Sequence, residues 1–114
     1  MKKIKANARF KIQKGKLEEF KEMVNQIIEI VRENEQGTLA YNFFINEEKM
    51  ECVAVETYEN SKAALIHAGN CGELLSNMME ISSLKLSVYG DINDELRNGL
   101  EPLGAKIYPF YSGL

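Results

Sequence analysis

The hydropathy pattern of this chain changes period early, and that change restricts the folds open to it. From Ile4 to Ile12 apolar and polar residues alternate: Ile4, Ala6, Ala8, Phe10 and Ile12 fall on one side, Lys5, Asn7, Arg9 and Lys11 on the other. A period of two is that of a strand with one buried face. From Lys16 to Glu35 the period becomes helical. Leu17, Phe20, Val24, Ile27, Ile28 and Val31 recur at three- and four-residue spacings, with Glu18, Glu19, Lys21, Glu22, Glu29 and Arg32 opposite. This is an amphipathic helix with a single apolar stripe. A one-faced strand followed by a one-faced helix calls for a layered fold in which helix covers sheet.

The rest of the chain continues the scheme. Thr38 to Asn46 is rich in aromatic and β-branched residues, Asn46-Glu-Glu-Lys49 is a polar turn, and Met50 to Tyr58 alternates again, so a hairpin is expected. Asn60 and Ser61 suit the N-cap of a second helix. Gly69-Asn70-Cys71-Gly72 is expected to interrupt that helix, which resumes through Leu74, Leu75, Met78 and Met79. Leu84, Leu86 and Val88 alternate with Lys85, Ser87 and Tyr89 as a fourth strand. The order β-α-β-β-α-β predicts an α+β, ferredoxin-like fold: a four-stranded antiparallel sheet with both helices on one face and an uncovered, apolar opposite face. Such a face predicts a partner. Residues 1–92 form this core. Residues 93–114 form a C-terminal extension, with a short helix from Asn93 to Glu101 and an edge strand from Ala105 to Tyr111 that Pro109 confines to the rim.

Composition narrows the function. The 114 residues include 14 Lys plus Arg and 17 Asp plus Glu, a formal net charge of −3. That is the size and make-up of one globular domain. No apolar run approaches the roughly 18 residues of a membrane span. The basic start, Met1-Lys2-Lys3, is not followed by an apolar signal segment, so a secretory leader is not expected. The lysines form no basic stripe, which argues against nucleic acid as a partner. Two cysteines, Cys52 and Cys71, and one histidine are too few for a Cys/His zinc cluster. No metal is expected, and the cysteines read as free thiols of a cytoplasmic protein.

Few residues carry candidate chemistry. His67 has the one side chain whose ordinary pKa lies near neutrality. Glu56 lies within the apolar run Cys52-Val-Ala-Val-Glu-Thr-Tyr58. A carboxylate there either reaches solvent at an edge, bonds to backbone or Arg9, or is desolvated with a raised pKa that suits proton transfer. Tyr41, Tyr58 and Tyr89 supply aromatic surface and phenolic donors for core packing or for a flat ligand. The cysteines lack an evident activating base. No nucleophile elbow, phosphate loop or dinucleotide fingerprint is present.

Glu56-Thr-Tyr58-Glu-Asn-Ser-Lys-Ala63-Ala-Leu-Ile-His67 resembles the signature of the antibiotic biosynthesis monooxygenase family. Gly37-Thr-Leu-Ala-Tyr41, Ala8-Arg-Phe-Lys-Ile-Gln-Lys-Gly15, Val88-Tyr-Gly-Asp91 and Leu103-Gly-Ala-Lys-Ile-Tyr108 are similar to segments of its members, so the likeness covers nearly the whole chain. The resemblance implies a homodimeric α/β barrel, two sheets face to face with helices outside. It also implies, for one group of members, cofactor-independent oxidation of quinols or polyketide-type phenols by dioxygen. In that scheme His67 takes the substrate proton, Glu56 orients the imidazole, and Tyr41, Tyr58 and Tyr89 pack on the substrate ring. Other members degrade haem, isomerise a phosphorylated sugar or have no known activity, so a non-catalytic, dimeric ligand-binding or stress-related module is the alternative. Two departures stand out. Tyr58 replaces the usual Trp, and Ala8 occupies the position of the Asn of haem-degrading members, with Asn7 one residue away and on the opposite sheet face.

Overall fold

In the computed structural model, which describes residues 2–114, the chain builds a five-stranded mixed sheet in the order β2-β3-β1-β4-β5. Strand β1 (Ile4–Ile12) lies at the centre of the sheet. It runs antiparallel to β3 (Glu51–Tyr58) on one side and to β4 (Ser82–Tyr89) on the other. Its alternation is realised without exception: Ile4, Ala6, Ala8, Phe10 and Ile12 are all buried under the helices. Strand β2 (Thr38–Asn46) pairs with β3 as the expected hairpin, with a bulge between Thr38 and Ala40. In the turn, Asn46 Oδ1 accepts from the Lys49 N–H at 3.1 Å.

Helix α1 (Leu17–Asn34) follows the turn at Gly15, whose φ of +83° is left-handed. Phe20, Val24, Ile27 and Val31 bury its stripe. Phe20 meets Phe10 edge to face at 5.2 Å between ring centroids, pinning the helix to the centre of the sheet. Helix α2 (Ser61–Glu80) is capped by Asn60, whose side chain accepts from the Ala63 N–H at 2.9 Å. The expected interruption at residues 69–72 does not occur. Gly69 and Gly72 each cost the helix about 1 kcal/mol relative to Ala. His67, Cys71 and Met78 bury their side chains beneath it, and that packing carries the helix through.

Strand β4 begins at Ser82, two residues before the expected Leu84. Helix α3 (Asp94–Leu100), capped by Asn93, runs into a single 3-10 turn at Glu101–Leu103. Strand β5 (Lys106–Tyr108) is shorter than the expected segment 105–111 and lies parallel to β4 at the rim, so the sheet is mixed rather than wholly antiparallel. Both long helices cover one face, as expected. The other face is not uniformly apolar: Phe44, Val53 and Val55 sit on β2 and β3, whereas Lys5, Arg9, Lys11 and Lys85 occupy β1 and β4. Among the described residues, no helix is long and apolar enough to cross a membrane.

One contact sets how closely α2 approaches the start of β2. A Cβ on Gly37 would lie 2.6 Å from the Ala63 Cβ. Gly37→Ala is expected to push the helix off the strand, costing about 1–3 kcal/mol. A thermal melt should show Tm lower by roughly 5–15 °C for a domain of this size.

Candidate active site

A cavity of about 120 Å³ lies between the sheet and α2. It exists because side chains are small on both sides of the same layer. Ala6 and Ala8 of β1 form the floor; Ala64 and Ala68 of α2 form the roof. Leu84, Leu86 and Val88 of β4 make one wall, and Leu96, Leu100 and Leu103 of the extension close the end. Four lining side chains carry polar atoms: Tyr41, Glu56, Tyr58 and His67. Strand register explains their grouping, because one rung of the sheet runs Tyr41–Glu56–Ala6–Val88, with Tyr58 two residues beyond Glu56 on the same strand face.

His67 is buried, with 6% of its surface exposed. Its Nδ1 lies 3.0 Å from Glu35 Oε1. The Tyr41 and Tyr58 rings flank the imidazole at 4.9 and 5.3 Å between centroids. Burial lowers the His67 pKa below its ordinary value by more than the neighbouring Glu35 charge restores, so the ring is neutral at pH 7. A carboxylate only accepts, so the Nδ1 facing it carries the hydrogen and Nε2 keeps the lone pair.

Glu35 is the residue that sequence reasoning missed. It is the C-cap of α1, in extended conformation, and its side chain is 1% exposed. An acid at a helix C-terminus is opposed by the helix dipole. Donors compensate: Thr38 Oγ1 at 2.6 Å, Asn70 Nδ2 at 3.3 Å and the Cys71 thiol at 3.6 Å, besides His67. Burial alone would raise its pKa, but Thr38, His67 and Asn70 outweigh that and hold the carboxyl below its usual range. His67, Asn70 and Cys71 stand at i, i+3 and i+4 on one face of α2, a spacing visible in the sequence only when the helix is taken as unbroken.

Glu56 is 7% exposed and accepts a hydrogen bond from the Tyr58 hydroxyl. It does not hold His67. The acid that orients the imidazole is Glu35, not Glu56 as expected, and Arg9 is on the opposite face of the sheet. Burial pushes the Glu56 pKa up to about 7; the Tyr58 bond opposes this and the Glu35 charge adds to it. Burial likewise raises the Tyr41 and Tyr58 phenols, which stay protonated as donors. Tyr89 does not join the others. It is 41% exposed on the far side of the sheet, stacked on Tyr108, and lines no part of the cavity. Both cysteines are free and buried, and burial raises Cys52 to about 11 and Cys71 to about 12, so neither is an activated thiolate.

The fold has known counterparts. The family model of antibiotic biosynthesis monooxygenases matches residues 3–70, and the chain belongs to that family. No curated protein sequence matches it. The structure of MupZ from Pseudomonas fluorescens is similar over 100% of this chain and 94% of its own, with TM-score 0.88 and 25% identity. SnoaB, a cofactor-independent oxygenase from Streptomyces nogalater solved as the mutant N63A, shares the fold at 12% identity. It covers 82% of this chain and 96% of its own, with TM-score 0.68. Rv0793 from Mycobacterium tuberculosis does so at 17% identity over 81% and 97%, with TM-score 0.69.

The raised Glu56 pKa has a measurable sign. A carboxyl that is harder to ionise folded than unfolded loses stability as pH rises from its ordinary value of 4.5 to about 7, and is flat above. Glu56→Gln keeps an acceptor for Tyr58 and removes that loss. Urea denaturation should show the variant gaining on the order of 3 kcal/mol over the parent between pH 4 and pH 8. A difference that does not change with pH would contradict the assignment.

Proposed function

We propose that this chain is a cofactor-independent monooxygenase of a small aromatic, quinol or polyketide-type phenol. One observation carries the reading: a neutral imidazole, tied to a buried carboxylate through Nδ1, borders an apolar cavity with its basic nitrogen free. Family membership supports it. The cavity volume is close to the ~150 Å³ that binds benzene in an engineered protein interior, so it takes the reacting ring of such a substrate.

In this scheme the phenol enters with its hydroxyl toward the polar end. Nε2 of His67 takes the phenolic proton, and the Glu35 carboxylate stabilises the resulting imidazolium. The Tyr41 and Tyr58 hydroxyls lie near the phenolate, and Glu56, half-protonated near neutrality, donates to or accepts from the same oxygen. The phenolate is electron-rich and reduces dioxygen directly; its dry surroundings protect the intermediate from water. A ring CH₂ of the keto tautomer becomes C=O and the second oxygen leaves as water, the substrate supplying all four electrons. Tyr89 has no part in this.

Oxygen uptake tests the reading. A panel of reduced naphthoquinols and anthrone-type phenols should consume oxygen without added metal or flavin, and His67→Ala should lower the rate 10²-fold or more. Ligand binding without oxygen uptake would make the chain a binding module. Unchanged uptake in His67→Ala would remove the imidazole from the chemistry.

We also propose a homodimer that pairs the open sheet faces, where Phe44 and Val55 are 60% and 42% exposed beside Val53. Light scattering should give twice the 13.0 kDa chain mass at micromolar concentration, and Phe44→Lys should shift it toward the monomer. Two unpaired thiols fit a reducing compartment, and we assign a cytoplasmic location.

A further inference from the structure

Glu35 and Cys71 approach the same nitrogen of His67. Glu35 Oε1 is 3.0 Å from Nδ1, and Cys71 Sγ is 3.7 Å from Nδ1 and 3.6 Å from Glu35 Oε2. This is not the arrangement of a nucleophilic relay, in which thiol and acid take opposite nitrogens of the imidazole so that a proton can pass through the ring. Here carboxylate, imidazole and thiol face one another across a common point.

Bonds of 2.0–2.3 Å from a zinc-sized ion to oxygen, nitrogen and sulfur, at tetrahedral angles, place the ligand atoms about 3.3–3.6 Å apart. Two edges, Nδ1–Oε1 at 3.0 Å and Nδ1–Sγ at 3.7 Å, match such a face to within a few tenths of an ångström, and with one Glu35 oxygen taken all three ligand atoms lie within 4.8 Å of one another. His67 and Cys71 are one helical turn apart on α2, so an unbroken helix holds two of the donors, and the α1 C-cap brings the third. All three are sheltered from bulk water.

We propose that Glu35, His67 and Cys71 form a site for a divalent metal ion of the zinc class, with water as fourth ligand, and that the bound ion switches the cavity off. Thiolate, imidazole and carboxylate together suit zinc or cobalt rather than magnesium or calcium. The switch follows from the imidazole's two nitrogens. A neutral ring coordinated through Nδ1 carries its hydrogen on Nε2 and cannot take a substrate proton there. Binding releases the Cys71 proton to solvent and displaces the contacts that the three groups otherwise make with one another.

The site itself rests on the geometry of the three donors; only the switching consequence rests on the oxygenase reading. Titration of the full chain with Co²⁺ alone separates the two. One equivalent should produce a thiolate-to-cobalt charge-transfer band in the near ultraviolet and the intense visible bands of four-coordinate cobalt, both removed by Zn²⁺. Cys71→Ala should lose the charge-transfer band, and Cys52→Ala should keep it. No such band in the parent chain at tenfold excess Co²⁺ overturns the site, as does a band that persists in Cys71→Ala. Should Cys71→Ala fail to fold, Glu35→Gln carries the test, with a cobalt affinity at least tenfold weaker expected; an unchanged affinity overturns the site. In a chain that consumes oxygen, one equivalent of Zn²⁺ should lower the rate at least tenfold, and full activity in zinc-loaded protein overturns the switch while leaving the site in place. A chain inert toward every phenol would still show the cobalt spectrum, so loss of the oxygenase reading is not loss of the site.

Discussion

A void in a protein of this size must be held open, because apolar side chains close on empty space wherever they can reach it. Here the reach is missing on both sides at once. Methyl groups face methyl groups between Ala6 and Ala8 of the central strand and Ala64 and Ala68 of α2. The spacing of the two layers is fixed elsewhere, by Phe10 against Phe20 under α1 and by the approach of Ala63 to the bare backbone of Gly37. The Phe10–Phe20 contact keeps the layers apart under α1, the Gly37 contact seats the start of α2, and small residues between them leave the room. Any polar atom on such a wall needs a partner, since water is scarce there. Among the described residues no sealed side-chain polar atom lacks one.

Those partners sort the two buried acids into different states. Glu35 receives hydrogen bonds from Thr38, Asn70, Cys71 and His67 and stays ionised. Glu56 is buried with a single donor, Tyr58, to offset the lost hydration, and the charge of Glu35 adds to the effect of burial, so its proton is held to near neutrality. Two carboxyls pushed in opposite directions within one small site are what acid–base chemistry requires. The imidazole between the aromatic rings belongs to the ionised acid.

Much of this was legible in the chain. The alternation of residues 4–12 dictated a two-sided central strand, and the 3.6 period of residues 16–35 dictated the helix over it. Tyr89 was expected on the substrate ring, although its shared parity with Lys85 and Ser87 already turned it away from Leu86 and Val88. The failures have physical causes. Gly69 and Gly72 read as a break because local propensity opposes a helix there, yet tertiary burial of His67 and Cys71 is worth more than that local cost. Glu35 could not be paired with His67 because the two are 32 positions apart and meet only when the end of α1 turns beneath α2. The open face was expected to be apolar throughout, but β1 and β4 place lysines and an arginine on it.

The family match ends at residue 70, inside α2, whereas the leucines that shut the far end of the cavity belong to α3 and the turn after it. The imidazole and both acids thus lie within the matched stretch, and the end wall lies in a tail tethered by three residues of parallel strand. Substitutions in that tail would lengthen or shorten the chamber from one end while leaving Glu35, Glu56 and His67 in place.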